Sequence, residues 1–369
     1  MSVLTAIARV LPPPRYITFP SVGLDVSDAS LKFIKLSYVP ARPRSVRIAK
    51  WGDLPVPEGS VVNGVIQNPE AVSAVLAEVK KQCKLDYVRI ALPEERAYIF
   101  ETTVSRDVPL GELRSNIEFK LEENVPLSPR DAFFDYDIIG EDVEADVYNI
   151  VVAVYGKETI LAYEEVCRKA GFVPISYEVE AQAIARAVVP RGSEETCMIV
   201  DFGKTRTGVG IVHKEALMYT STIDIGGDEL SSVMKTRLGD LGESVFTDLK
   251  NKNGLIGGYQ NELVQKELEV VVDRIAAEIA ARIEYWNARE LTKGGGRKIS
   301  KIILSGGGVN MVGFPEYLEE KLQVPAVRAS VWQNIETFKK SVPPILERYA
   351  YGYATALGLA LADVTEFSS

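Results

Sequence analysis

One pattern occurs twice in this chain and constrains its fold more than any other feature. Residues 22–26 read as a buried strand that carries Asp25 near its end, and four small or polar residues then lead into a second strand. Residues 198–201 read as the same kind of strand, ending at Asp201, and residues 202–206 turn the chain into its partner. A supersecondary unit that occurs twice predicts a duplicated α/β fold with two lobes.

The material between and after the two units predicts further domains. Residues 95–173 contain a strand, an amphipathic helix, two more strands and a helix ending at Gly171, which is enough for a small inserted α+β domain. A long apolar stripe over residues 261–291 predicts the longest helix. The predicted domains are an N-terminal extension (1–19), a first core domain (20–94 and 174–192), the insertion (95–173), a second core domain (193–230 and 299–369) and a helical subdomain (231–298).

Composition excludes several classes of function. The net charge of −9 argues against nucleic-acid binding, which needs a basic surface. The single histidine, His213, argues against zinc sites built on histidine and against hydrolases with a catalytic histidine. No segment resembles a signal peptide or an apolar span of about 20 residues, and the cysteines Cys83, Cys167 and Cys197 are far apart. We therefore expect a cytoplasmic protein with reduced, buried cysteines.

The repeated turns have a use in phosphate binding. Backbone N–H groups of a tight turn can point at phosphate oxygens, and an aspartate beside it can hold the water shell of Mg²⁺. Taken alone, such a turn is more often an ordinary one; two that face each other would clamp a triphosphate. The candidates are Asp25, Ser27, Asp28, Ala29, Ser30 and Lys32 in the first unit and Asp201, Gly203, Lys204 and Thr205 in the second, with Asp25 and Asp201 as metal residues acting through water.

Two further segments are candidates for the rest of a nucleotide site. The glycines Gly306, Gly307 and Gly308 follow a buried strand and precede a helix, so a nucleoside could lie against their backbone. An ordinary strand-to-helix loop explains them equally well. Glu180 lies on an alanine-rich helix predicted over residues 178–189 and could orient the water that attacks a γ-phosphate, although a lone helical glutamate is usually a solvated surface group.

Taken together, these segments resemble the superfamily of actin, sugar kinases and heat-shock chaperones. Residues 22–36 and 200–212 resemble its two phosphate hairpins, residues 303–309 its adenosine loop, and residues 180–187 and 349–360 its two connecting helices. The resemblance implies an actin-like (ribonuclease H-like), duplicated two-lobed ATPase fold with an inserted small α+β domain. It also implies that ATP and Mg²⁺ are the cofactors.

Within that superfamily the chain most resembles the PilM family of type IV pilus assembly proteins, with the FtsA family second. The insertion follows the strand at residues 88–92, as in both families, and residues 118–127 (EFKLEENVPL) and 170–174 (AGFVP) look PilM-like. Gly226 and Gly227 also match. So do Glu278 and Arg282, which in such proteins approach the nucleoside but are equally explained here as a surface pair four residues apart.

The resemblance implies an ATP-binding cytoplasmic scaffold of the pilus assembly platform, at the inner face of the cytoplasmic membrane. Its partner would be the cytoplasmic N-terminal tail of a PilN-like membrane protein, held between the first core domain and the insertion, with self-association left open and the membrane reached only through the partner. The alternatives are an FtsA-like membrane-associated actin homologue and a small-molecule kinase of the sugar-kinase branch. Ser27 replaces the usual glycine and Asp28 adds a negative charge, so we expect weakened nucleotide binding and at most slow ATP hydrolysis.

Overall fold

A computed structural model of the chain describes residues 20–39, 42–259, 261, 263–335, 338 and 342–365. The predicted N-terminal extension lies outside these residues. No helix in the described part of the chain is both long and apolar enough to span a bilayer. Cys83, Cys167 and Cys197 are buried free thiols, as their apolar neighbours in the sequence predicted.

The first lobe is built on a five-stranded mixed sheet in the order β10-β6-β1-β2-β3. The central strand β1 is buried along most of its length, which its apolar sequence SVGLDV explains. Strands β1, β2 and β3 form an antiparallel meander, whereas β6 and β10 run parallel to β1. The strands are β1 (Ser21–Val26), β2 (Ser30–Val39), β3 (Arg42–Pro55), β6 (Tyr87–Leu92) and β10 (Val173–Val179), with a short hairpin of β4 (Val61–Val62) and β5 (Val65–Ile66) before helix α1 (Pro69–Cys83).

The second lobe repeats this sheet strand for strand, in the order β13-β12-β11-β14-β15. Its first three strands again form an antiparallel meander, and β14 and β15 again run parallel to the first strand. The predicted duplication is therefore seen in sheet topology as well as in sequence pattern. The strands are β11 (Thr196–Phe202), β12 (Thr207–His213), β13 (Ala216–Ile223), β14 (Ile299–Ser305) and β15 (Ala326–Arg328).

Two helices connect the lobes and pack tightly against each other. They are α4 (Glu180–Val188) and α10 (Ala354–Thr365). A Cβ atom at Gly358 of α10 would overlap the carbonyl oxygen of Ala183 in α4, and one at Gly23 of β1 would overlap that of Ala356. Glycine at these two positions allows α10 to lie directly against both α4 and the first sheet.

The inserted domain has its own sheet and its own small core. Strands β7 (Tyr98–Ser105), β8 (Ala132–Asp142) and β9 (Val147–Gly156) pair in the order β7-β9-β8 under helix α2 (Leu113–Asn124). Helix α3 (Lys157–Lys169) follows, but its Tyr163, Val166 and Cys167 join the large core of the lobes. The compact part of the insertion is therefore the sheet with α2.

A cluster of charged side chains ties the insertion to the second lobe. The Glu101 carboxylate on β7 is 2.7 Å from Arg289, 2.9 Å from Arg297 and 3.2 Å from Lys293. These cations lie at the end of the long helix and just beyond it, in the helical part of the second lobe. The helices there are α5 (Gly227–Leu238), α6 (Glu243–Lys252) and α7 (Leu263–Thr292), and α8 (Phe314–Leu322) and α9 (Glu347–Ala350) follow the last sheet strands.

Candidate functional site

A cleft of about 790 Å³ lies between the two lobes. The β1–β2 hairpin of the first lobe and the β11–β12 hairpin of the second both line it, together with the loop after β14. Cavities of this size hold small ligands in other proteins. The predicted site residues that line it are Asp25, Ser27, Asp28, Ala29, Ser30, Lys32, Glu180, Asp201, Gly203, Lys204, Thr205, Gly306 and Gly307.

Three predicted glycines lie behind the cleft wall and shape it. A Cβ at Gly226 would overlap the backbone of the second hairpin, and the Gly227 N–H donates to the Gly203 carbonyl at 3.1 Å. The start of α5 is thereby held against the hairpin. A Cβ at Gly308 would lie 2.5 Å from the ring of Phe202. These glycines fix the loops whose other residues line the cleft.

The predicted pair Glu278 and Arg282 lies on α7, and neither side chain is among those that line the cleft. Its two side chains form an ion pair at 2.7 Å, the spacing of four residues that the sequence also suggested. Arg282 additionally donates to the Ser221 hydroxyl at 2.7 Å and to the Thr222 carbonyl at 3.1 Å. The arginine thus holds α7 against β13, and Thr222 of that strand reaches the cleft.

Ser27 closes the turn of the first hairpin at the position where glycine is usual in the superfamily. Its N–H donates to the Ser30 carbonyl at 2.9 Å, and its hydroxyl donates to the same oxygen at 3.0 Å. The Lys32 ammonium donates to the Ser30 hydroxyl at 2.7 Å and therefore points along the hairpin. A serine side chain is compatible with this turn because it supplies one of the bonds that hold it.

Asp28 is bound to protein partners on two sides. Its carboxylate accepts from the Asn63 and Gly64 N–H groups, each at 3.2 Å, in the β4–β5 turn. It also pairs at 3.0 Å with Arg206 of the second hairpin, which in turn pairs with Glu95. Arg206 therefore joins the two lobes across the cleft, and the charge of Asp28 is compensated.

Four carboxyl groups converge on the cleft in surroundings that favour their neutral forms. Burial and the nearby Asp25 charge raise the pKa of Asp201 to about 7. Burial and the Asp201 charge raise the pKa of Glu94 to about 8. Burial and, to a smaller extent, the charge of Asp25 raise the pKa of Glu180. Burial likewise raises the pKa of Asp25. A cation among these groups would reverse the shifts.

Glu94 is a site residue that sequence reasoning missed. It lies just beyond β6 and is only 4% exposed, and none of the described donors reaches its Oε2 atom. Gly208 of the second hairpin leaves room for it, since a Cβ there would lie 2.7 Å from that oxygen. A buried carboxylate oxygen without a donor fits a site for a hydrated divalent cation. The proximity of Glu94 to Gly208 of the opposite lobe left no local signal in the sequence.

The loop after β14 and helix α6 also line the cleft, and α6 was not assigned to the site from the sequence. Thr247, Asp248 and Asn251 are the residues of α6 that line it. Lys250 on the same helix donates to the Ser231 hydroxyl of α5 at 2.8 Å and so fixes α6 in place. Polar side chains beside an open glycine backbone, at Gly307, are suited to the sugar and base of a nucleoside.

A second cavity, of about 720 Å³, separates the first lobe from the insertion. We call it the groove. Edge strands of two sheets border it: β10 of the first lobe and β8 of the insertion. Its apolar wall contains Ile99, Phe133, Val151, Ala153 and Ile160, and its acidic groups are Asp135, Asp137, Glu164 and Glu178.

Comparison with known proteins identifies the family. A family profile described as type IV pilus assembly protein PilM matches residues 23–364. The chain belongs to the PilM family. This confirms the family resemblance read from the sequence.

Solved structures show the fold. A structure described as a PilM-PilN type IV pilus biogenesis complex matches with a TM-score of 0.74 at 19% identity, covering 94% of this chain and 98% of that one. MreB5 of Spiroplasma citri bound to ADP matches at 0.56 and 14%, covering 94% and 97%. EutJ from Carboxydothermus hydrogenoformans matches at 0.51 and 16%, covering 95% and 90%. The PilM-family chain thus has the predicted actin-like fold.

Proposed function

We propose that this PilM-family protein is a nucleotide-binding scaffold of type IV pilus assembly. The observation that carries the nucleotide part is the convergence of two matched hairpins, one from each lobe, on a single cleft. The phosphates would lie between the turn at residues 27–30 and the turn at residues 203–205, where backbone N–H groups and Lys32 and Lys204 are available. An actin-like relative, MreB5, is described as bound to ADP.

The metal part of the proposal follows from the charge of the cleft. When the carboxyl groups that line the cleft are all ionised they outnumber the cationic side chains there, so a bare triphosphate would be repelled. Asp25 and Asp201 would hold Mg²⁺ through its waters, and Glu94 would add negative potential behind Asp201. When bound, the ion would neutralise phosphate charge. Glu180 faces the same region and would orient a water beside the terminal phosphate.

The partner part rests on the groove. We propose that it holds the cytoplasmic tail of a PilN-like membrane protein as an extended segment, which would bring the scaffold to the inner face of the cytoplasmic membrane. A relative of the same fold is described as a PilM-PilN complex. Two free sheet edges, β8 and β10, offer backbone groups to such a segment. Arg186 pairs with Glu178 and Arg168 pairs with Glu164, which leaves Asp135 and Asp137 as the acidic groups that a ligand would meet. Together with the apolar wall, these two side chains suit a tail that carries apolar residues and a cation.

Calorimetry with Mg²⁺–ATP tests the cleft. The wild-type protein should bind, and Asp201→Ala should weaken binding at least about tenfold, or 1.4 kcal/mol. Asp240→Ala is the matched control, because Asp240 is exposed and pairs with Lys235 away from the cleft. Equal affinity in all three proteins would contradict the phosphate assignment.

Charge reversal on β8 tests the groove. Asp137→Lys should abolish binding of a synthetic peptide that covers the PilN-like tail, whereas Asp142→Lys, on the same strand but outside the groove, should not. Deleting residues 95–173 is a poorer test, since it would also remove Tyr163 and Cys167 from the core of the lobes. Unchanged peptide binding by the Asp137 variant would place the tail elsewhere.

A further inference from the structure

Four cationic side chains cluster on strands β2 and β3 of the first lobe and at the adjoining end of helix α1. Lys35 of β2 lies directly opposite Lys50 of β3, and Ser37, two residues further along, lies opposite Arg47. Side chains two residues apart on a strand project from one face of a sheet, so these three cations share a face. Lys84 directly follows the end of α1. We call Lys35, Arg47, Lys50 and Lys84 the basic patch.

The end of α1 brings the two strands and Lys84 together. The Lys35 ammonium donates to the carbonyl of Cys83, the last residue of α1, at 2.7 Å. Burial raises the pKa of the Cys83 thiol to about 11, while the charges of Lys35 and Lys50 act in the opposite direction. Both ammonium groups therefore lie close to this helix end, next to the exposed Lys84.

Two members of the basic patch stand where the fold by itself favours a different residue. Lys50 faces Lys35 across the strands, and like charges in directly opposed positions are destabilising. Lys84 has a φ of +51°, in the left-handed region where glycine usually ends a helix. Lysine at both positions therefore lowers the stability of the lobe, which indicates that these side chains act on something other than the fold.

The basic patch also differs from its surroundings in how its charges are paired. Close by on α1, Lys80 pairs with Asp86 at 2.9 Å and Lys81 pairs with Glu78 at 3.6 Å. Among the residues that the structure describes, no carboxylate forms an ion pair with a member of the patch. The patch is therefore a concentrated positive charge on a chain whose net charge is −9.

The shape of this surface favours one class of anion. The members of the basic patch line neither the cleft nor the groove, and Arg47, Lys50 and Lys84 are exposed. A small anion is normally held in a concave site, whereas an extended anionic surface attracts long, exposed cations. Because the chain as a whole is acidic, such a surface would attract the patch and repel the protein in other orientations.

We propose that the basic patch contacts the anionic lipid headgroups of the membrane, a direct contact in addition to the one through the partner. The location rests on the proposed function, in which a tail in the groove brings the scaffold to the membrane. The groove and the patch lie towards opposite edges of the first sheet, at β10 and at β3, so the two attachments together would fix the orientation of the first lobe. Each cation near an anionic bilayer strengthens binding about fivefold, so the patch alone gives reversible binding.

Sedimentation of the intact protein with lipid vesicles tests the contact, at low ionic strength because salt screens exposed charges. We expect binding to vesicles of phosphatidylglycerol and phosphatidylethanolamine, none to vesicles of phosphatidylcholine, and weaker binding as salt is added. Failure of the wild-type protein to bind the anionic vesicles would overturn the inference, and binding to polyglutamate in their place would assign the patch to an acidic protein. Neither the tail nor a nucleotide is present, so these outcomes leave the proposed function untouched.

Two substitutions separate lipid contact from stability. Lys84→Gly removes a charge and suits the positive φ, and Lys50→Glu converts the like-charge pair with Lys35 into a pair of opposite charges. The double variant should keep or raise the Tm and yet bind anionic vesicles about 100-fold more weakly, because it changes the patch by three unit charges. The control Lys252→Glu, Lys298→Gln makes the same change in net charge at exposed positions of the second lobe and should lose far less binding. An equal loss in both double variants would show that net charge alone governs binding and would overturn the assignment to the patch.

Discussion

The glycine loop after β14 yields a sharp test of where a nucleoside lies. Gly307 lines the cleft, and a Cβ built on it meets no atom within 4 Å, so a larger side chain would project into open space. The neighbouring glycines, by contrast, have no room for a side chain. Gly306 has a φ of +87° and a Cβ there would lie 2.5 Å from the Phe202 carbonyl oxygen, whereas a Cβ at Gly308 would overlap the Phe202 ring. Gly307→Val should therefore leave the fold intact and change only the cleft.

The expected loss of affinity follows from steric overlap. Forcing extra methyl groups into a packed site typically costs about 1–3 kcal/mol. Gly307→Val should therefore weaken Mg²⁺–ATP binding about 5- to 150-fold in calorimetry. Inorganic tripolyphosphate with Mg²⁺, which lacks a nucleoside, should bind the variant and the wild type equally. Gly306→Val, by contrast, should lower the Tm. An unchanged Kd for ATP in a folded Gly307→Val protein would show that the nucleoside does not lie on this loop.

Three further results are expected. The free energy of unfolding without ligand should fall as the pH rises from about 4 through about 8. The folded state keeps protons on Asp201 (pKa about 7) and Glu94 (pKa about 8) that the unfolded chain releases near pH 4. The Tm measured over this pH range should decrease accordingly, and it should decrease less in the Asp201→Asn, Glu94→Gln double variant. Gly358→Ala should destabilise by about 3 kcal/mol in urea unfolding, because the new methyl overlaps the Ala183 carbonyl; an unchanged midpoint would contradict the tight packing of α4 and α10. Glu101→Ala should cost about 1–3 kcal/mol, because Arg289 and Lys293 lose their shared carboxylate whereas Arg297 keeps Glu290; an effect below about 1 kcal/mol would show that the cluster is merely a surface feature.

Local pattern was sufficient for the features that depend on neighbouring residues. A few consecutive residues were enough to predict the strands that end near Asp25 and Asp201, the turns after them and the glycine loop. Their repetition allowed the two lobes to be predicted, and the fold confirms this. The insertion was found for the same reason, since its helix and strands have their own periodicities.

Features that depend on contact between distant segments were not predictable in this way. Glu94 can lie in the cleft because Gly208 has no side chain to displace it. Helix α6 lies at the cleft because Lys250 binds Ser231 of α5. Glu278 and Arg282 show the reverse case: the family resemblance implied a contact with the nucleoside, their spacing implied a helical pair, and only the position of β13 shows that Arg282 binds Ser221. In each case the deciding partner is far away in the sequence.

Asp28 was expected to repel phosphates, and its contacts turn that expectation into a more specific prediction. The Asp28 carboxylate pairs with Arg206 at 3.0 Å, so a bound triphosphate would have to compete with Asp28 for that arginine. Asp28→Asn keeps one oxygen, which can accept from the Asn63 or the Gly64 N–H group but not from both, and it releases Arg206 towards the phosphates. At a separation of about 8 Å and an effective dielectric constant of 20, one unit charge on Asp28 and one on a phosphate would repel each other by about 2 kcal/mol.

Asp28→Asn should therefore tighten Mg²⁺–ATP binding several-fold in calorimetry, although it lowers the Tm by removing a pair between the lobes. Arg206→Gln should lower the Tm as well but weaken the binding. The two substitutions break the same ion pair, so an effect of lobe separation alone would move both affinities in the same direction. Opposite changes would show that Arg206 is shared between Asp28 and the phosphates, and parallel changes would refute it.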